Sequence, residues 1–239
     1  MSLQVNDTIE QVLAHPETEP QVLSEQDSAD LATYSEFING DDKAFLRLYT
    51  RYEAPLLLYC RKMCADSRIA EDSFQETWMH TFELRGKTTS LAIFRPFLFR
   101  TARNVCLNKL RHEMVRKRGT VELTDDSASV SYQSESEQEE LRQLISKALG
   151  KLPIAEREVF VLHEYSGFHY NEIATILGRS DASIKTLAFR ARTRLRKVVS
   201  SWLGLGEETN NEVHQQLFAK LWKDSCDEYS RRRISTTVF

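Results

Sequence analysis

The sequence predicts an all-α chain built as two small helical domains joined by a flexible acidic linker. Three observations lead there. Only 8 Gly and 5 Pro punctuate 239 residues, and apolar residues recur at three- and four-residue intervals rather than alternating. Cations cluster in two blocks that share those helical patterns, Arg100 to Arg118 and Lys185 to Lys197. Between the blocks, Val121 to Glu140 contains Glu122, Asp125, Asp126, Glu135, Glu137, Glu139 and Glu140 and no Lys or Arg.

The bulk composition is unremarkable for a soluble globular protein, with 41% hydrophobic and 28% charged residues. No run approaches the ~18 consecutive apolar residues that a membrane span needs. The opening MSLQVNDTIEQV lacks a basic n-region and an apolar core. No membrane insertion and a cytoplasmic location are therefore expected. The net charge of -3 averages over strong segregation. Two cationic modules are separated by an anionic tether and preceded by an anionic tail, a pattern suited to polyanionic partners.

Taken in order, residues 1–35 are polar and acidic, and Pro16 and Pro20 interrupt helical periodicity. They read as a mostly disordered tail. From Asp41 the residues Phe45, Leu48, Tyr49, Tyr52, Leu56, Tyr59, Cys60 and Met63 mark an amphipathic helix, with Pro55 expected to kink or restart it. A second helix from about Ser67 carries Ile69, Phe74, Trp78 and Phe82, and the Glu71–Asp72 pair suits a helix N-terminus. A Gly86 loop leads to a third helix, near Phe94 to Arg118, with Phe97, Leu98, Ala102, Val105, Cys106 and Leu110 inward. Its outward face holds Arg100, Arg103, Lys109, Arg111, Arg116, Lys117 and Arg118. Phe94, Phe97 and Phe99 beside these cations, with Asn104, suit unstacked bases of opening DNA. The competing reading makes the rings core, and Phe97 is expected to be core.

Residues 119–138 have no apolar period and form the linker, whose reach of roughly 65 Å at ~3.3 Å per residue separates the two modules. Beyond it Leu141, Leu144, Ile145, Ala148 and Leu149 mark one helix, and Pro153 at an N1 position opens another through Val159, Phe160 and Leu162. Gly167 breaks the chain. Ile173, Ala174, Ile176 and Leu177 then form a short helix ended by Gly178 in a left-handed cap. Ser180 or Asp181 caps the next helix, which places Ile184, Leu187, Ala191, Leu195 and Val198 on one side. Lys185, Arg190, Arg192, Arg194, Arg196 and Lys197 cover the rest, with Asp181 the only acid from Gly178 to Lys197. A short helix, a glycine turn and a cationic second helix form a helix-turn-helix, whose second helix enters the major groove. Residues 204–239 are a C-terminal extension in which Val213, Leu217, Phe218, Leu221 and Trp222 make a short amphipathic helix.

Catalysis finds little support. The chain has no GxxxxGK[ST], HExxH or GxSxG pattern, and the nearest cluster, His163, Glu164 and His169, falls at a helix end. Cys60 and Cys64 lie one turn apart without a partner pair, so Cys60, Cys64, Cys106 and Cys226 read as reduced thiols rather than a metal site. No enzyme activity, cofactor or metal is expected.

Two motif sets in order across a linker carry a family resemblance: AEDSFQETW with FRPFLFRTARNVCLNKLR, and LPIAEREVFVLHEYSGFHYNEIATILGRSDASIKTLAFRARTRLR. Together they resemble regions two and four of bacterial extracytoplasmic-function sigma factors over roughly Phe37 to Leu203. Residues 36–118 would be region two and residues 139–203 region four. The resemblance implies a transcription initiation factor that binds core RNA polymerase and recognises the upstream (-35) and downstream (-10) promoter elements. Glu71, Asp72, Gln75, Glu76 and Trp78 match the helix that docks on the clamp helices of the polymerase β' subunit, and the β flap is the further polymerase contact implied. Gly86, Lys87, Thr88, Arg100, Arg103, Asn104, Lys109 and Arg111 match the part that engages the downstream element. Lys185, Thr186, Phe189 and Arg190 fall where the upstream element is read, and the acidic linker resembles the segment in the RNA exit path. An anti-sigma factor is a possible further partner. The alternative is a sigma mimic that sequesters an anti-sigma factor without binding promoter DNA. The family often has Trp at Phe97 and Gly at Ala182, and the resemblance is silent on both termini.

Overall fold

The computed structural model describes residues 24–64, 66–85, 93–119 and 137–202, all α-helical apart from turns and caps. Eight helices lie among them: α1 (Glu25–Ile38), α2 (Asp42–Met63), α3 (Ser67–Glu83), α4 (Phe94–Gly119), α5 (Glu137–Gly150), α6 (Ile154–Glu164), α7 (Tyr170–Leu177) and α8 (Asp181–Trp202). The chain divides into two compact units, Met1–His112 with Ala174–Gly178, and Glu113–Ile173 with Arg179–Phe239. The loop residues Gly86, Lys87 and Thr88, most of the acidic linker and the helix expected over Val213–Trp222 lie outside the described residues.

In the first unit, α1 corrects the expected tail over residues 25–35, while residues 1–23 of that expectation lie outside the described residues. Ser24 caps the helix by accepting from the Asp27 amide at 3.1 Å, and Glu25 and Asp27 in the first turn favour the helix dipole. Tyr34 and Phe37 are buried as α1 packs on α2. Asp30 is wholly buried and is met by the Arg51 guanidinium, the Tyr52 hydroxyl and Gln26 Nε2 at 3.1 Å. A buried carboxylate needs such partners. Gln26 lies one turn back on α1, but Arg51 and Tyr52 stand on α2, some twenty positions on, where an acid count of the tail does not reveal them.

Gly40 turns the chain at φ 110°, a conformation glycine adopts without a Cβ penalty. Asp41 then caps α2 by accepting from the Lys43 amide at 2.8 Å. The helix runs through Pro55 without interruption, so the expected restart is absent. Asp66 caps α3, accepting from the amides of Arg68 and Ile69 at 2.8 and 3.1 Å. The α2–α3 seam is aromatic: Trp78 lies 5.0 Å from Tyr49 and 5.6 Å from Phe45, between ring centroids, and Phe82 lies 5.2 Å from Phe45. A polar stripe on α3 is buried alongside. Ser73, Thr77 and Thr81 donate to carbonyls one turn back at 2.6, 2.7 and 2.9 Å, which removes the cost of burying their hydroxyls. Helix α4 buries Phe94, Phe97, Leu98, Phe99, Ala102, Val105 and Cys106, while Leu110 is half-buried. Cys60, Cys64 and Cys106 are buried free thiols.

In the second unit, α6 starts one residue later than expected, with Pro153 as its cap at φ -53° and ψ 143°. It buries Val159, Phe160, Val161 and Leu162 and packs on α8, as does α5 through a smaller contact. Gly167 (φ 67°) and Gly178 (φ 63°) make the two left-handed turns that flank α7. On α8 the buried positions are Ile184, Ala188, Ala191, Leu195 and Val199. The expected Leu187 and Val198 sit half-buried at the margin of that stripe.

Candidate nucleic-acid interface

On α8 the structure leaves Lys185, Thr186, Phe189 and Arg190 exposed. Their spacing of i, i+1, i+4 and i+5 puts them on one face, opposite the buried stripe. Phe189 is 69% exposed, unusual for an aromatic ring on a folded surface. The Thr186 hydroxyl donates to the Ala182 carbonyl at 2.9 Å, one turn back on the helix. Among the described residues, Lys185 and Arg190 have no acidic partner.

Arg192 and Arg194 differ. Arg192 donates through Nε and Nη2 to Glu164 Oε1 at 3.1 and 2.7 Å, and through Nη1 to the Tyr170 hydroxyl at 2.9 Å. Burial works against its charge, but the Glu164 carboxylate and Tyr170 more than offset it, so its pKa is raised. Arg194 donates to Glu156 at 2.9 Å. The cationic surface expected along the whole helix is therefore split into a solvent-facing set and a set tied to α6 and α7. One signal was present in the sequence: Arg190, Arg192, Arg194 and Arg196 step by two residues, roughly 200° each on a helix, so one face cannot hold them all.

The His163–Glu164–His169 cluster is structural. His163 Nδ1 donates to the Phe168 carbonyl at 2.9 Å, Glu164 is occupied by Arg192, and the His169 amide donates to Glu172 at 2.7 Å. Among the described residues no group of three or more His, Cys, Asp and Glu could hold a metal, and no helix is long and apolar enough to cross a membrane.

On α4, Arg100, Arg103, Asn104 and Arg111 fall within one side of the helix by their spacing. Arg103 Nη1 lies 3.5 Å from Asn104 Oδ1, and Arg111 Nη1 donates to Asn108 Oδ1 at 2.9 Å. Arg100 is half-buried, and burial together with the neighbouring Arg103 charge pulls its pKa down. Two expectations for α4 are corrected. Phe94, Phe97 and Phe99 are 0%, 9% and 1% exposed: Phe97 is core as expected, Phe94 and Phe99 are core as well, and none is available to stack on a base. Lys109 stands nine residues from Arg100, about 180° round the helix, and its Nζ lies 2.7 Å from Glu76 Oε2 on α3.

On α3, Glu71, Asp72 and Gln75 are exposed and Glu76 half-buried. Trp78 is corrected as a docking contact. It is 5% exposed and belongs to the aromatic seam, where it fixes α3 on α2. Met79 takes the outward position instead, at 62% exposure, a residue that sequence reasoning missed because it interrupts an otherwise polar run. Glu76 is the hub of this face. His80 Nε2 at 3.5 Å and Lys109 both meet it. The His80 contact, resisted by burial and reinforced by Lys109, holds its carboxyl down at about 2. Glu76 in turn raises the His80 pKa against burial, helped by Glu83 at 3.6 Å.

Comparisons with known proteins cover both units. Residues 48–115 match the family model for Sigma-70 region 2, and residues 142–195 match that for Sigma-70, region 4. The ECF RNA polymerase sigma factor SigM of Bacillus subtilis is 28% identical over 153 residues, 62% of this chain and 91% of that protein. The ECF RNA polymerase sigma factor SigL of Mycobacterium tuberculosis is 33% identical over 155 residues, 62% of this chain and 85% of that protein. The solved structure of the sigma factor RpoE in complex with the anti-sigma factor NepR from Bartonella quintana aligns with a TM-score of 0.53 at 25% identity, covering 66% of this chain and 98% of RpoE.

Proposed function

Because the chain belongs to the extracytoplasmic-function family of RNA polymerase sigma factors, we propose that its two units divide one promoter between them. A sigma factor carries out no reaction of its own. It binds core RNA polymerase and directs initiation to promoter DNA. The upstream element is read by Lys185, Thr186, Phe189 and Arg190 in the major groove. Arg100, Arg103, Asn104 and Arg111 on α4, with Gly86, Lys87 and Thr88 of the preceding loop, engage the downstream element. Glu71, Asp72, Gln75 and Glu76 dock on the clamp helices of the β' subunit, with the β flap as the second polymerase contact. Trp78 serves this docking from within, by holding α3 in place.

The observation that carries the reading is the separation of charge on α8. Arg192 and Arg194 are neutralised within the unit, so the cations without an acidic partner among the described residues include Lys185 and Arg190, which flank the exposed Phe189. That arrangement supports base contact flanked by phosphate contact. Run-off transcription with purified core polymerase on genomic fragments tests it. Discrete transcripts that depend on the chain, and that disappear with Lys185→Ala plus Arg190→Ala, are expected. Transcription indifferent to the chain would remove the reading.

A second partner has one observation in its favour. RpoE, which aligns with 66% of this chain, was solved in complex with the anti-sigma factor NepR. An anti-sigma protein that covers the polymerase-docking face would hold this factor inactive, and competition between such a protein and core polymerase in a pull-down would reveal it.

A further inference from the structure

We propose that Asn108 is a further specificity-determining residue, one whose carboxamide donates to the acceptor edge of a downstream-element base. The proposal rests on the reading of α4 as the helix that faces that element. Asn108 lies one turn beyond Asn104, on the same side of α4 as Arg100 and Arg111 by helical spacing, and it is exposed. Its Oδ1 accepts from Arg111 Nη1 at 2.9 Å. A carboxamide has one acceptor oxygen and two N–H donors. With the oxygen turned to Arg111, the amide nitrogen is the group left to face outward. Arg103 and Asn104 repeat the same polarity one turn earlier, at 3.5 Å. The side of α4 thus presents two arginine-held amides in succession, and both offer donors.

This polarity selects its target. Where the element is still paired, guanine offers O6 and N7, thymine O4 and adenine N7 in the major groove, whereas cytosine presents there only the donor of its exocyclic amine and is rejected. Arg111 is the companion group. It fixes the amide and keeps four of its five N–H donors for phosphate oxygens. A side chain whose only role was to brace Arg111 would serve as well, or better, as a carboxylate. A side chain that reads a base by donation would not.

That contrast sets the experiment. The full chain is assembled with core polymerase on promoter fragments that carry each of the four bases at each downstream position, and affinities are measured for wild type, Asn108→Ala and Asn108→Asp. For wild type, one position should favour an acceptor-bearing base by about five- to tenfold, the lower range for a good side-chain–base contact. Both variants should flatten preference at that position and leave the others unchanged, although Asp retains the Arg111 contact. Uniform weakening by Asn108→Ala, reversed in Asn108→Asp, would show that Asn108 only braces Arg111 and would overturn the proposal. Unchanged preferences in both variants would overturn it too. If the wild-type chain assembles on no promoter with core polymerase, the sigma-factor reading fails first and takes this inference with it; promoter-dependent assembly isolates the fate of Asn108.

Discussion

Arg192 binds Glu164 with two N–H groups onto one carboxylate oxygen, at 3.1 and 2.7 Å, and so fastens the helix-turn-helix recognition helix to the end of α6. The side chains are 35% and 22% exposed, so the pair is partly shielded from water. Removal of the guanidinium takes two charge-assisted hydrogen bonds from a half-buried carboxylate and one from the Tyr170 hydroxyl. Arg192→Ala should therefore lower unfolding stability by about 2 kcal/mol in urea, within the range for hydrogen bonds to charged groups. Lys185→Ala on the same helix should leave the urea midpoint unchanged, because Lys185 is exposed and has no acidic partner among the described residues. Equal effects of the two substitutions would contradict the division of the α8 cations.

The solvent-facing set makes the complementary prediction. Lys185→Ala with Arg190→Ala should weaken upstream-element binding and flatten the slope of log affinity against log salt by about two units, close to one for each lost phosphate contact. Fluorescence anisotropy over a salt series reads both quantities. An unaltered slope would mean that this face of α8 does not meet the phosphates.

Asp30 gives a stability test for the first unit. It is fully buried and bonded by Arg51 and Tyr52. Loss of one member of such a network leaves the others unpaired, and Asp30→Ala should cost about 3 kcal/mol, as for other broken buried pairs. A surface acid of α1, Glu25, supplies the control. A near-neutral Asp30→Ala would return α1 to the tail that composition alone suggested.

These three cases show where the sequence was legible. Helices α2 to α8, the order of the two units and the left-handed Gly178 follow from local periodicity and turn chemistry, which neighbours in the chain determine, whereas α1 does not. The exposed tetrad on α8 was accessible in the same way. What was not legible depends on partners far along the chain: Arg51 and Tyr52 for Asp30, Glu164 for Arg192, Glu76 for Lys109. An isolated helix treats Arg192 and Arg190 alike, and only packing separates them. Trp78 misled for a related reason. A tryptophan in a polar run reads as an exposed anchor, yet Phe45 and Tyr49 supply an aromatic wall that encloses it.

The Glu76 hub makes the chain sensitive to pH in two windows. The Glu76 pKa is lowered to about 2, so its contribution is present above the ordinary carboxylate range and is lost as pH falls toward 2. The His80 pKa is raised, so its contribution is complete below the usual imidazole value of 6.5 and fades as pH rises through the elevated one. The charged groups around it are Glu76 and Glu83 on α3, with Lys109 of α4 on Glu76. NMR titration should find the His80 pKa above 6.5 in wild type and lower in Glu76→Gln, where the carboxylate that does most to hold the proton on His80 is gone. An identical titration in both proteins would show that His80 does not sense Glu76.

The face of α3 proposed to dock on polymerase separates two roles that a simple binding assay confuses. Trp78 is buried against Phe45, Tyr49 and Phe74, and Trp78→Ala should cost about 3 to 5 kcal/mol, the range for truncation of a large core aromatic. Trp78→Phe keeps an aromatic ring in the seam and should retain most of the stability and most of the core-polymerase affinity. Asp72→Lys with Gln75→Ala alters only exposed positions and should leave thermal unfolding unchanged, while core binding falls by tenfold or more, the ~1.4 kcal/mol that a reversed charge at a rim can cost. Isothermal titration with core polymerase, paired with melting curves, separates these outcomes. If Trp78→Phe abolishes core binding in a fully folded chain, the ring itself touches the polymerase, and the α2–α3 seam must open on docking.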